Sequence, residues 1–283
     1  MRDLKGRQAV VIGGGSGVGR GISLGFAEAG LDVVVADIER ASADAVAEEV
    51  CERGVRGLAA VVDGTDPDSL AELARTAVSA HGRVHVLSNN VGVMIDRPLA
   101  ECTDRDWAWG IEFNLMSIVR GVAAFLPHLR AAGGDAHIVN TASLAGVLAL
   151  PPGPTMPVHL GIYTTTKHAI VAYSEMLRGE LAPEGIGVSV LCPGMVKSNL
   201  ANTSARNRPE RFGGPMKEPG AAPPEVEPMM MPQETVGPIV VAAIRENRLH
   251  VFTHPEARPA VEARQAAMLD DFAFAASERG RGR

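Results

Sequence analysis

Short runs of aliphatic and β-branched residues alternate with helix-patterned stretches from Gln8 almost to the end of the chain. "QAVVI" at 8–12 leads into a glycine-rich turn and a helical stretch over Val18–Ala29, with Gly30 as its C-cap. "DVVVADI" follows, then an alanine- and glutamate-rich helix over Ala41–Arg53, with Gly54 behind it. "LAAVVD" is the third strand, and Asp66–Pro67 supplies an N-cap and a first-position proline for the next helix. "VHVLSNN" is the fourth, and Thr103 caps a long helix running through Asn114 towards Arg130. "HIVNTAS" is the fifth, and the Tyr163 segment is a helix to about Leu181. "IGVSVLC" is the sixth, and "LHVFTH" the seventh, after a helix over Glu234–Asn247. Continuous apolar strands are buried on both faces, and helical crossovers make their neighbours parallel. The rhythm predicts an α/β fold, a three-layer α/β/α arrangement around a doubly wound parallel sheet of about seven strands.

The 283 residues suit a single domain over 1–283, and 21% charged residues leave ample material for a core. A formal charge of -6 supplies no electrostatic reason to expect nucleic acid or an anionic membrane as partner. Cys51, Cys102 and Cys192 are odd in number and contain no CxxC, so neither a metal site nor a disulfide framework is indicated. No apolar leader with a cleavage site and no uncharged stretch long enough to cross a bilayer is present. The expectation is a soluble, cytoplasmic protein. The end "SERGRGR", 277–283, reads as a flexible basic tail. Residues 199–232 hold many prolines and glycines and the run Met229–Met231, so they are either a substrate lid or a merely mobile connection.

"VIGGGSGVGR" stands between the first strand and the first helix. Glycines there let the backbone approach a pyrophosphate, whose charge faces the free N–H groups of the helix N-terminus. The spacing is Gly13-x-x-x-Gly17-x-Gly19 rather than GxGxxG. Asp37 ends the second strand, where a carboxylate can accept hydrogen bonds from both ribose hydroxyls of an adenosine and repel a 2′-phosphate. No arginine directly follows it; Arg40 lies further on. NAD is therefore preferred over NADP.

The chain has only two tyrosines, and Tyr163 stands four residues ahead of Lys167, on the same face of a helix. A free phenol, with a pKa of ~10, is a poor base at neutral pH. A nearby ammonium favours phenolate, and a nicotinamide cation adds to the effect. Such a tyrosine can take the proton of an alcohol while hydride leaves its carbon, or protonate a carbonyl oxygen in the reverse direction.

The turn, Asp37, "SNNVG", "FNLMS", "IVNTAS", "YTTTK" and "LCPGMVKS" occur in this order, each at a strand end or on the expected helix. Together they resemble the classical short-chain dehydrogenase/reductase family, over about Arg7 to His254. The resemblance implies a Rossmann fold with Tyr163 as acid/base and Ser143 holding the substrate oxygen. Lys167 would tune the tyrosine and hold the nicotinamide ribose, and Asn114 would anchor a water in a proton relay. For the cofactor it implies Gly13, Gly15, Ser16, Gly17, Val18 and Gly19 around the pyrophosphate, Asp37 and Ile38 at the adenosine ribose, and Asp63 and Gly64 at the adenine. Asn90, Val91 and Gly92 would line the cofactor, and Pro193, Gly194, Val196 and Ser198 would cradle the carboxamide, with Met195 facing substrate. Self-association as a tetramer or dimer, through the helices of Asn114 and Tyr163, is also implied.

Three departures stand out. Ile12 replaces a threonine that ties the turn to the fourth strand, Val91 replaces an alanine, and the Ser143–Tyr163 stretch is lengthened by "LPPGPTMPVHL". Within the family, "DRDWAWGIEFNLMSIVRGV" and "HVFTHPEARPAVEARQAAM" look like enzymes of bulky, largely apolar secondary alcohols, aromatic or terpenoid-like. The uncharged 144–158 stretch and Met229–Met231 either adapt to such a ligand or only pack the loop against the core. His159 either lines the pocket or is incidental. The reading is an NAD-dependent alcohol–ketone oxidoreductase. Its alternatives are an NADP-dependent carbonyl reductase of the same family and a non-catalytic NAD-binding sensor or scaffold. The extended branch, with epimerases and dehydratases, needs a different glycine spacing and a large C-terminal substrate domain.

Overall fold

A computed structural model describes residues 1–149, 151–153, 158–221 and 226–281. Its strands are β1 (Gln8–Ile12), β2 (Asp32–Asp37), β3 (Gly57–Val61), β4 (Val86–Asn89), β5 (Ala136–Thr141), β6 (Ile186–Cys192) and β7 (His250–Phe252). The helices are α1 (Gly17–Glu28), α2 (Arg40–Cys51), α3 (Pro67–His81), α4 (Asp104–Gly110), α5 (Ser117–Ala131), α6 (Gly161–Leu181), α7 (Leu200–Arg206), α8 (Val236–Arg245) and α9 (Arg258–Arg281). All seven strands pair in parallel in the order β3-β2-β1-β4-β5-β6-β7. The order reverses between β1 and β4, and a doubly wound sheet opens its crevice at such a point, beyond the carboxyl ends of the strands. Register brings the ends together: Ile12 pairs with Ala36 on one side and with Asn89 on the other.

Successive side chains of a strand face opposite layers. Val11, Val33 and Val35 pack with Ile22, Phe26, Val240 and Ile244 of α1 and α8. Val10, Ile12 and Val34 pack with Leu70, Leu73, Phe125 and Leu129 of α3 and α5 on the other face. Both faces are covered, which is why the strands read as unbroken apolar runs.

The helix starts follow their caps. Asp66 accepts from Asp68 N at 3.0 Å, with Pro67 at the first helical position. Thr103 and Asp106 cap α4 reciprocally. Between α4 and α5 the chain stays helical but widens to a π-type stretch over Ile111–Met116, so Asp104–Ala131 is one continuous helix. By length and composition alone this helix matches a membrane span, which the sequence reading did not find. Its apolar residues Val122, Phe125 and Leu129 are buried against the sheet.

Two other expectations change. Residues 199–232 are not loop throughout: α7 is helical, and Arg208 within the stretch is buried. The end of the chain belongs to α9, helical to Arg281, with 282–283 outside the described residues.

Candidate active site

Glycine conformation shapes the first turn. Gly13 (φ +76°) and Gly17 (φ +51°) occupy the left-handed region. The N–H groups of Gly13 and Gly14 donate to the Ala36 carbonyl at 2.8 and 3.0 Å. A side chain at Gly19 would meet the Gly13 carbonyl oxygen at 1.9 Å, so only glycine lets α1 start this close to the turn. Ser16 takes the N-cap position of α1 with its hydroxyl uncommitted to the helix, and the first turn contains no acid. Backbone N–H groups at that end therefore favour an anion. Asn90 Nδ2 donates to the Gly13 carbonyl at 3.1 Å. That bond ties the turn to β4 although Ile12 has no hydroxyl. Val91 fits because its neighbour is Gly64, where a Cβ would lie 2.8 Å from Val91 Cγ2.

Asp37 is fixed before any ligand arrives. Its Oδ2 accepts from Gly15 N at 2.9 Å and its Oδ1 from Glu39 N at 3.1 Å. Burial nonetheless raises its pKa, against those two N–H groups. Arg40, the nearest cation along the chain, is paired with Asp44 at 2.9 Å. Asp63 turns its Oδ1 towards Thr65 N and Oγ1, at 2.8 and 2.7 Å, and so closes the loop after β3.

At the other end of the same cleft, Ser143, Tyr163 and Lys167 converge from the end of β5 and from α6. Lys167 Nζ lies 5.4 Å from the centre of the Tyr163 ring and donates to the Thr141 carbonyl at 2.9 Å. Burial pushes the Lys167 ammonium down to about 8. From the sequence this ammonium is expected to lower the phenol; in the protein alone burial dominates, and Tyr163 is raised. The Ser143 hydroxyl opposes that rise. It accepts from Ala145 N at 3.1 Å and donates only a long bond, 3.4 Å, to the Pro193 carbonyl, so it can turn towards a ligand oxygen. Cys192 beneath the pair is buried, which pushes its thiol up to about 12 and keeps it neutral.

Asn114 stands behind the cleft rather than in its wall, in the π-type stretch. Its Oδ1 accepts from Val93 N at 2.6 Å and its Nδ2 donates to Thr166 Oγ1 at 2.9 Å. Thr166 in turn donates to the Tyr163 carbonyl at 2.9 Å. The amide thus pins the segment after β4 to the helix of the phenol.

The cleft, about 380 Å³, joins both ends. Ser16, Gly17, Val18, Ile38, Asp63, Gly64, Val91, Gly92, Pro193, Gly194, Val196 and Ser198 line it together with Gly13, Asp37, Asn90, Thr141, Ser143, Tyr163 and Lys167. Gly15, Gly19, Met195 and His159 do not. The Met195 carbonyl instead accepts from Met231 N at 2.9 Å, and Met231 packs on the core. Met231 accordingly packs beside the cleft rather than inside it, and Met229 is exposed. Within the lengthened loop, residues 150 and 154–157 lie outside the described residues. Val62, Val93, Phe113, Ala142, Asn199, Leu200, Thr203, Ser204, Asn207 and Pro209 complete the wall.

The short chain dehydrogenase family model matches residues 7–209. The chain belongs to this family. It is 30% identical to the C alpha-dehydrogenase of Sphingobium sp. strain SYK-6 over 278 residues, covering 96% of this chain and 88% of that relative. It is 32% identical over 257 residues to the 1-deoxy-11-beta-hydroxypentalenate dehydrogenase of Streptomyces exfoliatus, covering 90% and 86%. A short chain dehydrogenase/reductase from Burkholderia phymatum, solved in complex with NAD, superposes with a TM-score of 0.83 at 30% identity, covering 96% and 97%. This short-chain dehydrogenase is thus an oxidoreductase with a Rossmann-type α/β/α fold.

Several wall residues escape a reading of the sequence. Thr141, in the wall, and Thr166, behind it, lie inside "IVNTAS" and "YTTTK", but their roles come from hydrogen bonds across the fold. Phe113 sits inside "FNLMS", so its place was visible but its exposure to the cleft was not. Leu200, Thr203, Ser204 and Asn207 come from a stretch whose helix, α7, has no strong apolar period.

Proposed function

We propose that this protein is an NAD-dependent dehydrogenase interconverting a bulky, largely apolar secondary alcohol and its ketone. The observation that carries the reading is the convergence of Ser143, Tyr163 and Lys167 on one cleft whose other end is the glycine turn and Asp37. The cradle fits a dinucleotide: Gly13 and Gly17 are in glycine conformations, and a Cβ at Gly17 would press on Ser198 at 2.9 Å. Gly13, Ser16, Gly17, Val18, Asp37, Ile38, Asp63, Gly64, Asn90, Val91, Gly92, Pro193, Gly194, Val196 and Ser198 would hold it. When bound, the nicotinamide supplies the hydride acceptor or donor.

The chain's own residues then do the following. Ser143 donates its hydroxyl to the substrate oxygen. Tyr163 takes the alcohol proton during oxidation and returns it to the carbonyl oxygen during reduction. Lys167, charged below about 8, is the cation that favours phenolate and hydrogen-bonds the ribose. Asn114 fixes the helix of Tyr163 and anchors the water that relays the proton onwards. Val93, Phe113, Leu200 and Pro209 supply an apolar wall for the substrate body. The protein associates as a dimer or tetramer, which light scattering reads directly.

NAD preference rests on Asp37, and on Arg40 being held by Asp44. Titration with NADH and NADPH tests it. NADH is expected to bind at least about tenfold tighter, a difference of about 1.4 kcal/mol, and Asp37→Ala to shrink that gap. Tighter NADPH binding would sink the reading. A panel of hydrophobic secondary alcohols with NAD, followed at the NADH absorbance, tests the substrate class.

A further inference from the structure

We infer that Arg208 is a positioning residue that sets the substrate-side wall, by locking the segment Asn199–Pro209 onto the helix that carries Phe113. The inference rests on the dehydrogenase reading of the cleft. Arg208 is 6% exposed and Asp106 is 0% exposed. Arg208 Nη2 donates to Asp106 Oδ1 at 2.7 Å. Asp106 Oδ2 meanwhile accepts from Thr103 N and Oγ1, both at 2.8 Å, and from Arg97 Nη1 at 2.6 Å. The carboxylate that starts α4 therefore also grips a residue 102 positions later in the chain.

The grip is directional. The Arg208 guanidinium lies over the Trp109 ring at 4.8 Å, and its Nη1 approaches Met216 Sδ at 3.1 Å. Trp109 packs edge-on against Phe113, with centroids 6.3 Å apart, and Phe113 against Phe212 at 6.2 Å. A continuous stack thus connects the buried cation to an aromatic ring in the cleft wall. A second tie lies further back, where Met94 N donates to Ser204 Oγ at 3.0 Å. Thr203 precedes the Ser204 tie, Asn207 lies between Ser204 and Arg208, and Pro209 follows Arg208; Thr203, Ser204, Asn207 and Pro209 line the cleft. Towards the adenosine end Asn207 makes an exposed 3.4 Å contact to Glu39.

A buried ion pair is weak as a source of net stability, because desolvating both charges offsets their attraction. It is stronger as a device for fixing geometry, since a planar guanidinium stacked on one side and bonded on another has one orientation. The expected effect of loosening it is therefore on the substrate's seat rather than on the proton transfer.

The test compares Arg208→Met, Arg208→Lys and Ser204→Ala with wild type in steady-state kinetics, NADH titration and hydrogen exchange. For Arg208→Met, KM for the alcohol should rise on the order of tenfold or more, with kcat and the NADH Kd changing less than about threefold. Arg208→Lys should recover part of the KM. Exchange in 199–216 should rise in Arg208→Met. Should Arg208→Met fail to fold, Ser204→Ala leaves no buried charge and should show the same selective KM rise, smaller in size. Unchanged exchange in 199–216 of a folded Arg208→Met overturns the inference. So do KM and NADH Kd rising together, or an unaltered KM in Ser204→Ala when Arg208→Met does not fold. If the wild type oxidises no alcohol, the dehydrogenase reading falls, and exchange alone then decides whether Arg208 locks the segment.

Discussion

A phenol gives up its proton reluctantly, and burial makes Tyr163 more reluctant still. A buried phenolate needs compensation, and Lys167 is the cation beside it. Burial has also brought that ammonium down to about 8, so it is charged at neutral pH and loses its charge above that point. In the proposed mechanism alcohol oxidation uses the deprotonated phenol, so kcat/KM for oxidation should rise with pH. Tyr163→Phe removes the proton acceptor and leaves the helix intact. Turnover should fall on the order of 100-fold or more, with NADH binding retained. Lys167→Ala should weaken NADH binding and move the rise to higher pH, because nothing then favours phenolate. A folded Tyr163→Phe protein with near-normal turnover on the true substrate would remove Tyr163 from the chemistry. Of these contacts, the one-turn spacing of phenol and ammonium could be read from the sequence. The dominance of burial could not, since it depends on what the fold stacks above α6.

At the level of single elements, buried strands were the most readable: "QAVVI" and "IGVSVLC" coincide with β1 and β6. Ends were less so, because pairing and not composition stops a strand; β4 begins at Val86, two residues inside "VHVLSNN". The π-type stretch around Asn114 has no signature of its own, being set by how the helix meets its neighbours. β5 carries a consequence of the same kind. His137, the second residue of β5 and fully buried, shares a 2.8 Å bond between its Nε2 and Ser189 Oγ, and burial lowers its pKa from 6.5 to about 3. The imidazole is neutral in the folded protein, while the unfolded chain takes up a proton below 6.5. Stability is complete above that value and is lost as pH falls from there towards about 3. Between pH 7 and pH 5 the loss from this one group is about 2 kcal/mol. Urea unfolding at both values measures it, and His137→Gln, which cannot titrate, should show a shallower pH slope. An identical slope in the variant would assign the acid sensitivity elsewhere.

For the whole molecule the question is which parts hold the rest together. The cleft joins residues far apart in the chain, and the Arg208–Asp106 pair shows why long-range latches are invisible to spacing arguments: Asp106 reads locally as the capping partner of Thr103, and nothing near either residue points to the other. α9 is the opposite case. It leaves the body after Pro255–Ala257, and from Arg258 to Arg279 its residues are exposed except for the half-buried Val261. Met268, Leu269, Phe272 and Phe274 are 50–73% exposed, and their spacing covers more than one side of the helix. Such a helix adds almost no burial to its own chain, and hydrophobic stabilisation scales with apolar area removed from water. The cleft takes nothing from it either, since the last residues that shape the cleft are Thr253 and His254, which accept from Gly194 N at 3.3 and 3.2 Å. Truncation after Ala257, which keeps both, should therefore leave a folded protein at low concentration. Its NADH Kd should stay within about twofold of the full chain, and its Tm within about 2 °C, the shift that well under 1 kcal/mol produces in a protein of this size. A drop in Tm of more than about 5 °C, or loss of NADH binding, would mean that α9 is part of the folding unit rather than an appendage to it.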